Sequence, residues 1–142
     1  MSLFGQKRPT IVIVDDDATL LTMLKTRLET WRYRVVTARD GVEALEVVQR
    51  HSPDLLILDL DMPRLDGASL ALRLSSQAGE RCLPIIVLTG SEDVRNEQLM
   101  ANLGALVYVR KPYEAEALRA AIEQALRMAQ THTATRGGAP HA

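Results

Sequence analysis

The sequence predicts an α/β fold, a three-layer α/β/α sandwich built on a sheet of five parallel strands. Short continuous runs of β-branched and leucine residues, the length of strands buried on both faces, alternate with segments whose apolar residues recur at helical spacing. Proline and glycine stand near several element boundaries, as at Gly41, Pro53 and Pro84. Because strand and helix alternate, we expect parallel strands joined by right-handed crossovers, with helices on both faces of the sheet.

Each element is predicted from its own pattern of apolar residues. Continuous runs predict strands at residues 11–14, 55–58 and 85–88, and weaker runs predict two more at 35–36 and 106–109. Five helices are predicted to alternate with these strands. Their apolar positions, in chain order, are Leu20, Leu21, Leu24 and Leu28; Ala44, Leu45, Val47 and Val48; Leu70, Leu72 and Leu74; Leu99, Met100 and Leu103; and Leu118, Ile122 and Leu126.

Length, composition and charge limit the classes to which the chain can belong. With 142 residues, 46% of them apolar, one folded domain is expected at 9–128, between an N-terminal arm (1–8) and a flexible C-terminal tail or linker stub (129–142). The near balance of 17 basic and 18 acidic residues argues against direct binding of nucleic acid. No segment is long and apolar enough for a signal sequence or a membrane span, and the single cysteine, Cys82, cannot form an internal disulfide. A cytoplasmic location is therefore expected.

Polar residues gather directly after the predicted strands. They are Asp15, Asp16 and Asp17 after the first strand, Asp59 at the end of the third, Thr89 at the end of the fourth and Lys111 after the fifth. In an open sheet of this kind the ligand crevice lies outside the carboxyl ends of the strands. The sequence therefore predicts that these side chains form one site.

The residue types indicate phosphoryl chemistry at that site. Carboxylates that meet at one sheet edge repel one another, and the usual remedies are a raised pKa, a cationic partner or a divalent metal with oxygen ligands. Mg²⁺ fits best, because it binds through one or two carboxylates together with waters and phosphate oxygens. Asp59, which stands singly at the end of a central strand, is the best candidate for a nucleophile, and Lys111 and Thr89 would contact the phosphoryl oxygens. Asp17 is expected to cap the first helix.

Four sequence motifs together resemble a known family. They are IVIVDDD (11–17), LLILDLDMPRLDG (55–67), PIIVLTG (84–90) and GALVYVRKPY (104–113). Their order and spacing resemble those of the receiver domain of two-component response regulators. The resemblance covers about residues 9–128 and implies a flavodoxin-like (β/α)5 fold with strand order 2-1-3-4-5. It also implies that Asp59 accepts a phosphoryl group from the phosphohistidine of a partner kinase.

The resemblance assigns a role to each matching position. It implies that Asp16 is a direct Mg²⁺ ligand and that Asp15 acts through a water molecule. Asp59 would bind the metal as well as accept the phosphoryl group, and the backbone carbonyl of Asp61 would complete the protein ligands. Thr89 and Tyr108 match the switch pair, in which the hydroxyl moves to the phosphoryl group and the aromatic ring turns inward behind it. Lys111 matches the lysine of the family motif, whose bond to the following proline is often cis.

The same resemblance implies the partners. A sensor histidine kinase or a histidine phosphotransfer protein would dock on the first helix, at about 18–30. The face formed by the fourth helix, fifth strand and fifth helix, roughly 93–128, would carry the signal by dimerisation or by docking a downstream protein. The chain is expected to be a signalling domain with self-phosphotransfer and autodephosphorylation only, and either a stand-alone receiver or a module of a longer protein.

Two other classes share part of this pattern. Asp59-Leu60-Asp61 is similar to the DxD motif of haloacid dehalogenase-type phosphatases, but there the motif follows the first strand and the acidic pair comes last, the reverse of the order here. A flavodoxin-like cofactor binder shares the fold. However, the chain has no glycine-rich or Ser/Thr-rich phosphate loop after the first strand, and three aspartates there would repel a phosphate.

Overall fold

The computed structural model describes residues 8–59, 73, 83–90 and 105–138, which form five strands and three helices in the described ranges. The strands are β1 (Thr10–Val14), β2 (Arg34–Ala38), β3 (Leu55–Asp59), β4 (Ile85–Thr89) and β5 (Ala105–Arg110). The helices are α1 (Ala18–Thr30), α2 (Gly41–His51) and α3 (Ala115–Gly138), and α3 is the fifth helix of the sequence-based prediction. The helices predicted around residues 70–74 and 99–103 lie outside the described residues.

All strand pairs of the sheet are parallel, in the order β2-β1-β3-β4-β5. This confirms the predicted fold class and strand order. β1 and β3 lie next to each other at the centre, so the ends of these two strands meet at the carboxyl edge of the sheet. Val14 pairs with Leu58, and the next residues along the two strands are Asp15 and Asp59.

The core consists of two apolar clusters, one on each face of the sheet. Alternate strand residues point to opposite faces, so a continuous apolar run supplies both clusters at once. Val12, Val14, Leu56 and Leu58 pack on the face that α2 covers. The residues between them, Ile11, Ile13, Leu55 and Ile57, pack with the buried residues of α1 and α3 on the other face. The three-layer arrangement that the sequence predicts is therefore present.

Aspartate side chains cap the N-terminal ends of two of the helices. The Asp17 carboxylate accepts hydrogen bonds from the backbone N–H groups of Thr19 and Leu20, at 2.9 and 3.2 Å. This confirms the prediction that Asp17 caps α1, because a cap satisfies N–H groups that lack partners within the helix. Asp40 caps α2 in the same way, accepting from the N–H of Glu43 at 2.8 Å.

The C-terminal helix α3 is longer than its apolar pattern suggests. The helix continues past Met128 to Gly138, into the segment for which the sequence predicts a tail or linker. Residues 129–136 contain no proline or glycine that would stop a helix, and the Gly137-Gly138 pair stands where it ends. Within the described ranges, none of the helices combines the length and apolar character needed to cross a membrane.

The two-sided core leads to a prediction about packing. Leu28 of α1 is fully buried, so Leu28→Ala is expected to lower the free energy of unfolding by about 2–5 kcal/mol through lost burial and a residual cavity. Met23 lies on the same helix with 57% of its surface exposed, so Met23→Ala should change that free energy by no more than about 0.5 kcal/mol. Urea denaturation followed by circular dichroism measures both. Equal effects of the two substitutions would contradict the packing described.

Candidate functional site

Polar side chains are buried at the carboxyl edge of an otherwise apolar sheet. Asp15, Asp59 and Thr89 are each only 3% exposed, and they follow or end the strands β1, β3 and β4. Lys111 follows β5 directly, with 28% of its side chain exposed. Burial of polar groups costs free energy unless they have hydrogen-bonding or charged partners. The contacts among these residues therefore define the site.

An ion pair joins the ends of β3 and β5. The Nζ of Lys111 lies 2.7 Å from Oδ2 of Asp59 and donates a hydrogen bond to it. The backbone N–H of Lys111 also donates to the carbonyl oxygen of Thr89, at 2.9 Å, which fixes the start of the segment after β5. The following Lys111-Pro112 bond is cis, as predicted.

A second carboxylate, Asp15, lies beside this ion pair. Its Oδ1 accepts a hydrogen bond from the backbone N–H of Asp17, at 3.0 Å. Burial raises the pKa of Asp15 to about 6, and the hydrogen bond and negative charge of Asp59 contribute further to the increase. The Asp17 N–H and the Lys111 charge act in the opposite direction. Among the described residues, the site therefore holds two close carboxylates and one amine.

Thr89 and Tyr108 share one face of the sheet. Thr89 follows Val87 by two residues, and Val87 pairs with Tyr108 on the adjacent strand, so Thr89 and Tyr108 are diagonal neighbours. Val87 belongs to the apolar cluster on the α2 side, and the Tyr108 ring packs against the same cluster. Asp59, by the same alternation along β3, lies on the α1 and α3 side with Ile57, and Lys111 reaches it from the segment after β5.

The remaining predicted metal ligands are Asp16 and the backbone carbonyl of Asp61. Asp16 is exposed beside the buried Asp15. Asp61 lies outside the described residues, so its predicted carbonyl ligand has no observed position. In the part of the chain that the structure describes, no three His, Cys, Asp or Glu side chains form a cluster that could hold a metal ion. The structure thus brings together Asp15, Asp59 and Lys111, and it leaves Asp16 at the surface.

Tyr113 is a neighbour of the site to which the sequence analysis gives no role. It is half-buried, and its ring packs against the apolar cluster on the α1 and α3 side. Burial raises the pKa of the Tyr113 hydroxyl, and the positive charges of Lys111 and Arg27 partly oppose this increase. The available sequence signal was the aromatic residue directly after Lys111-Pro112.

Comparison with known proteins gives one consistent family. The profile described as response regulator receiver domain matches residues 11–123. The probable transcriptional regulator ycf27 of Cyanidium caldarium is 41% identical over 124 residues, which cover 87% of this chain and 49% of that protein. The alkaline phosphatase synthesis transcriptional regulatory protein PhoP of Bacillus subtilis (strain 168) is 35% identical over 120 residues, or 84% of this chain and 49% of PhoP.

A solved structure agrees with these sequence relatives. The CheY-like response regulator receiver domain protein from Methanospirillum hungatei JF-1 matches with a TM-score of 0.82 and 26% identity, over 89% of this chain and 99% of that chain. The chain therefore belongs to the response regulator receiver domain family of two-component systems, which confirms the resemblance found in the sequence. It is a signalling domain of that family, and it spans about half the length of the curated relatives that it matches.

The raised pKa of Asp15 leads to a prediction about pH. With a folded-state pKa of about 6 against an ordinary value of 3.8, ionisation of Asp15 destabilises the fold as pH rises between those values. Asp15→Asn removes this penalty while keeping an oxygen that accepts from Asp17. In metal-free buffer the substitution is expected to raise the free energy of unfolding by about 1–3 kcal/mol at pH 7.5, and by much less at pH 4.5.

Urea denaturation at the two pH values measures this difference. Asp40→Asn is the matched control, because Asp40 is an exposed helix cap and asparagine caps a helix about equally well. An Asp15→Asn effect of the same size at both pH values would contradict the assignment.

Proposed function

We propose that Asp59 accepts a phosphoryl group from the phosphohistidine of a sensor histidine kinase or histidine phosphotransfer protein. The observation that carries this proposal is the buried Asp59 carboxylate, held 2.7 Å from the Lys111 amine at the carboxyl edge of a receiver fold. A carboxylate in this position is a preformed nucleophile, because it needs no proton removed before it attacks.

The transfer step balances without a further reactant. An oxygen of Asp59 forms a bond to phosphorus while the bond from phosphorus to the donor's imidazole nitrogen breaks. The electron pair of the broken bond stays on that nitrogen, which then takes a proton from solvent. Lys111 would contribute positive charge beside the phosphoryl oxygens, and the hydroxyl of Thr89, a residue buried at the same edge, would donate a hydrogen bond to one of them. The receiver thus supplies position and charge, and the donor supplies the activated group.

The residues of the site fit a bound Mg²⁺. Asp15 and Asp59 are close carboxylates, of which Asp59 pairs with the Lys111 amine, and oxygen ligands of this kind suit a hard divalent cation. We propose that Asp16, Asp59 and the backbone carbonyl of Asp61 would bind the ion directly and that Asp15 would act through a water molecule. When bound, Mg²⁺ would neutralise negative charge that develops on the phosphoryl oxygens.

Thr89 and Tyr108 are proposed as the switch pair. Their diagonal placement on one face of β4 and β5 supports this role, because a shift of the Thr89 hydroxyl toward a phosphoryl group would change the packing beside Tyr108. The signal would then reach a surface at roughly 93–128, of which β5 and the first half of α3 are described. The helix α1 is proposed to dock the phosphoryl donor.

The output is proposed to lie outside the receiver unit, taken as residues 9–128. The two named relatives, a protein named as a probable transcriptional regulator and one named as a transcriptional regulatory protein, are about twice the matched length, which supports a partner domain or partner protein as the output. The segment 129–142 is proposed as a linker or tail, and its residues up to Gly138 continue α3.

The first test is phosphorylation by a small donor. Incubation with Mg²⁺ and acetyl phosphate is expected to add one phosphoryl group to the wild-type chain, as measured by intact mass, and none to Asp59→Asn. Asp40→Asn should be labelled like the wild type, since Asp40 is exposed and its carboxylate caps α2. Lys111→Met should slow labelling by roughly 10²-fold, the usual effect of removing one group that stabilises developing charge.

Three outcomes would contradict the proposal. The first is labelling that survives in Asp59→Asn, and the second is labelling without Mg²⁺. The third is steady phosphate release from unrelated phosphoesters, which would instead favour the phosphatase class.

The switch has a separate test. Light scattering with and without acetyl phosphate and Mg²⁺ is expected to show that phosphorylation raises the mass from monomer to dimer. Thr89→Ala should be phosphorylated yet remain monomeric. If the phosphorylated wild type also stays monomeric, dimerisation is excluded and docking of a downstream protein remains as the output.

A further inference from the structure

A groove lies at the end of the sheet opposite to Asp59, where β1 and β2 begin. Its volume is about 420 Å³, within the range of roughly 300–1,000 Å³ that is typical of ligand pockets. The groove runs around the start of the edge strand β2, between the C-terminal ends of α1 and α2. Its lining residues include Arg8, Glu29, Arg34, Val35, Val36 and His51.

The β2 strand presents backbone groups to this groove. Arg34 donates its N–H to Pro9, and Ala38 accepts at its carbonyl from Asp15, so both residues direct their backbone groups toward β1. Backbone groups of successive residues in a strand point alternately to its two sides, so those of Val35 and Thr37 point away from β1. β2 is the first strand of the sheet, and no described strand lies beyond it. This edge can therefore pair with another extended chain.

Charge around the groove favours an acidic ligand. Arg8, Arg34 and His51 are among its lining residues, which include one acidic residue, Glu29. The nearby carboxylate of Asp54 accepts a hydrogen bond from the backbone N–H of Thr10, at 2.8 Å. The Val35 and Val36 side chains are partly exposed there and supply apolar surface next to the edge. Basic side chains beside an open strand edge suit an extended segment that carries carboxylates.

The helix ends contribute to this basic cluster. Cations are favoured near the C-terminal ends of helices, and the groove lies between those ends of α1 and α2, with His51 in the last turn of α2. Arg8 precedes β1 and Arg34 begins β2, so both basic residues also lie beside the start of the edge strand.

We propose that this groove binds an extended acidic peptide segment of a partner protein, which adds a strand to the β2 edge. Backbone hydrogen bonds to Val35 and Thr37 would hold the segment, and its carboxylates would pair with Arg8 and Arg34. The site lies away from Asp59, so binding does not require phosphorylation. Asp59→Asn should bind the peptide as the wild type does, even if the proposed phosphoryl transfer fails.

The probe is a blocked hexapeptide of alternating Glu and Val. Titration into the full chain, followed by NMR, is expected to shift the amide signals of Val35 and Thr37 and to slow their hydrogen exchange. A peptide with Lys in place of Glu should not bind at about 1 mM, the range of a weak complex. A Glu and Val peptide with alternate backbone nitrogens methylated keeps the charges but cannot pair as a strand, and it should also fail to bind.

Charge reversal tests the contribution of the basic residues. The double variant Arg8→Glu and Arg34→Glu is expected to weaken binding by at least about tenfold, because two attractive pairs become repulsive. Arg50→Glu is the matched control, since Arg50 is exposed in the last turn of α2 and does not line the groove. It should change the affinity less than about twofold.

The proposal is overturned by any of three results. The first is no binding of the Glu and Val peptide. The second is equal binding of the methylated peptide, of free glutamate or of a single-stranded oligonucleotide, which would show nonspecific attraction of anions. The third is protection of amides elsewhere than β2.

Discussion

The ion pair between Lys111 and Asp59 is the interaction on which the arrangement of the site depends. Two buried carboxylates lie side by side at the ends of the central strands, and a buried charge without a partner is costly. The Lys111 amine offsets one of these charges, and the hydrogen bond from its backbone N–H to Thr89 fixes where the lysine leaves β5. Burial is the main reason for the raised pKa of Asp15, and the negative charge of Asp59 raises this pKa further, against the opposing charge of Lys111. The close carboxylates and the amine suit the site to a divalent cation and a phosphoryl group.

Most of the fold can be predicted from local sequence patterns, because the apolar spacing of each segment agrees with the way in which that segment packs in the core. The runs at 11–14, 55–58 and 85–88 are apolar at every position, and the structure shows why: alternate residues fill cores on opposite faces of the sheet. Asp17 follows a strand and precedes an apolar helical pattern, which is the position of a cap. The extent of α3 beyond Met128 could not be predicted from apolar spacing, because that segment contains no large apolar residues.

The identities of the site residues could be predicted from the sequence, but their burial and surroundings could not. The positions of Asp15, Asp59, Thr89 and Lys111 after strands indicate that they share one edge. The sequence does not show that Asp15 is buried while Asp16, its neighbour, is exposed, because that depends on how the chain turns after β1. The basic groove could not be predicted either, since Arg8, Arg34 and His51 are distant in sequence and each resembles an ordinary surface residue.

The alternation of side chains along the strands divides the carboxyl edge of the sheet into two halves. Asp59, with the Lys111 amine bound to it, lies on the α1 and α3 side, whereas Thr89 and Tyr108 lie on the α2 side. The two groups meet at the end of β4, where the carbonyl oxygen of Thr89 accepts a hydrogen bond from the backbone N–H of Lys111. A shift of the backbone at Thr89 would therefore move Lys111 as well as change the packing beside Tyr108. Charge on one face and packing on the other are thus coupled through Thr89.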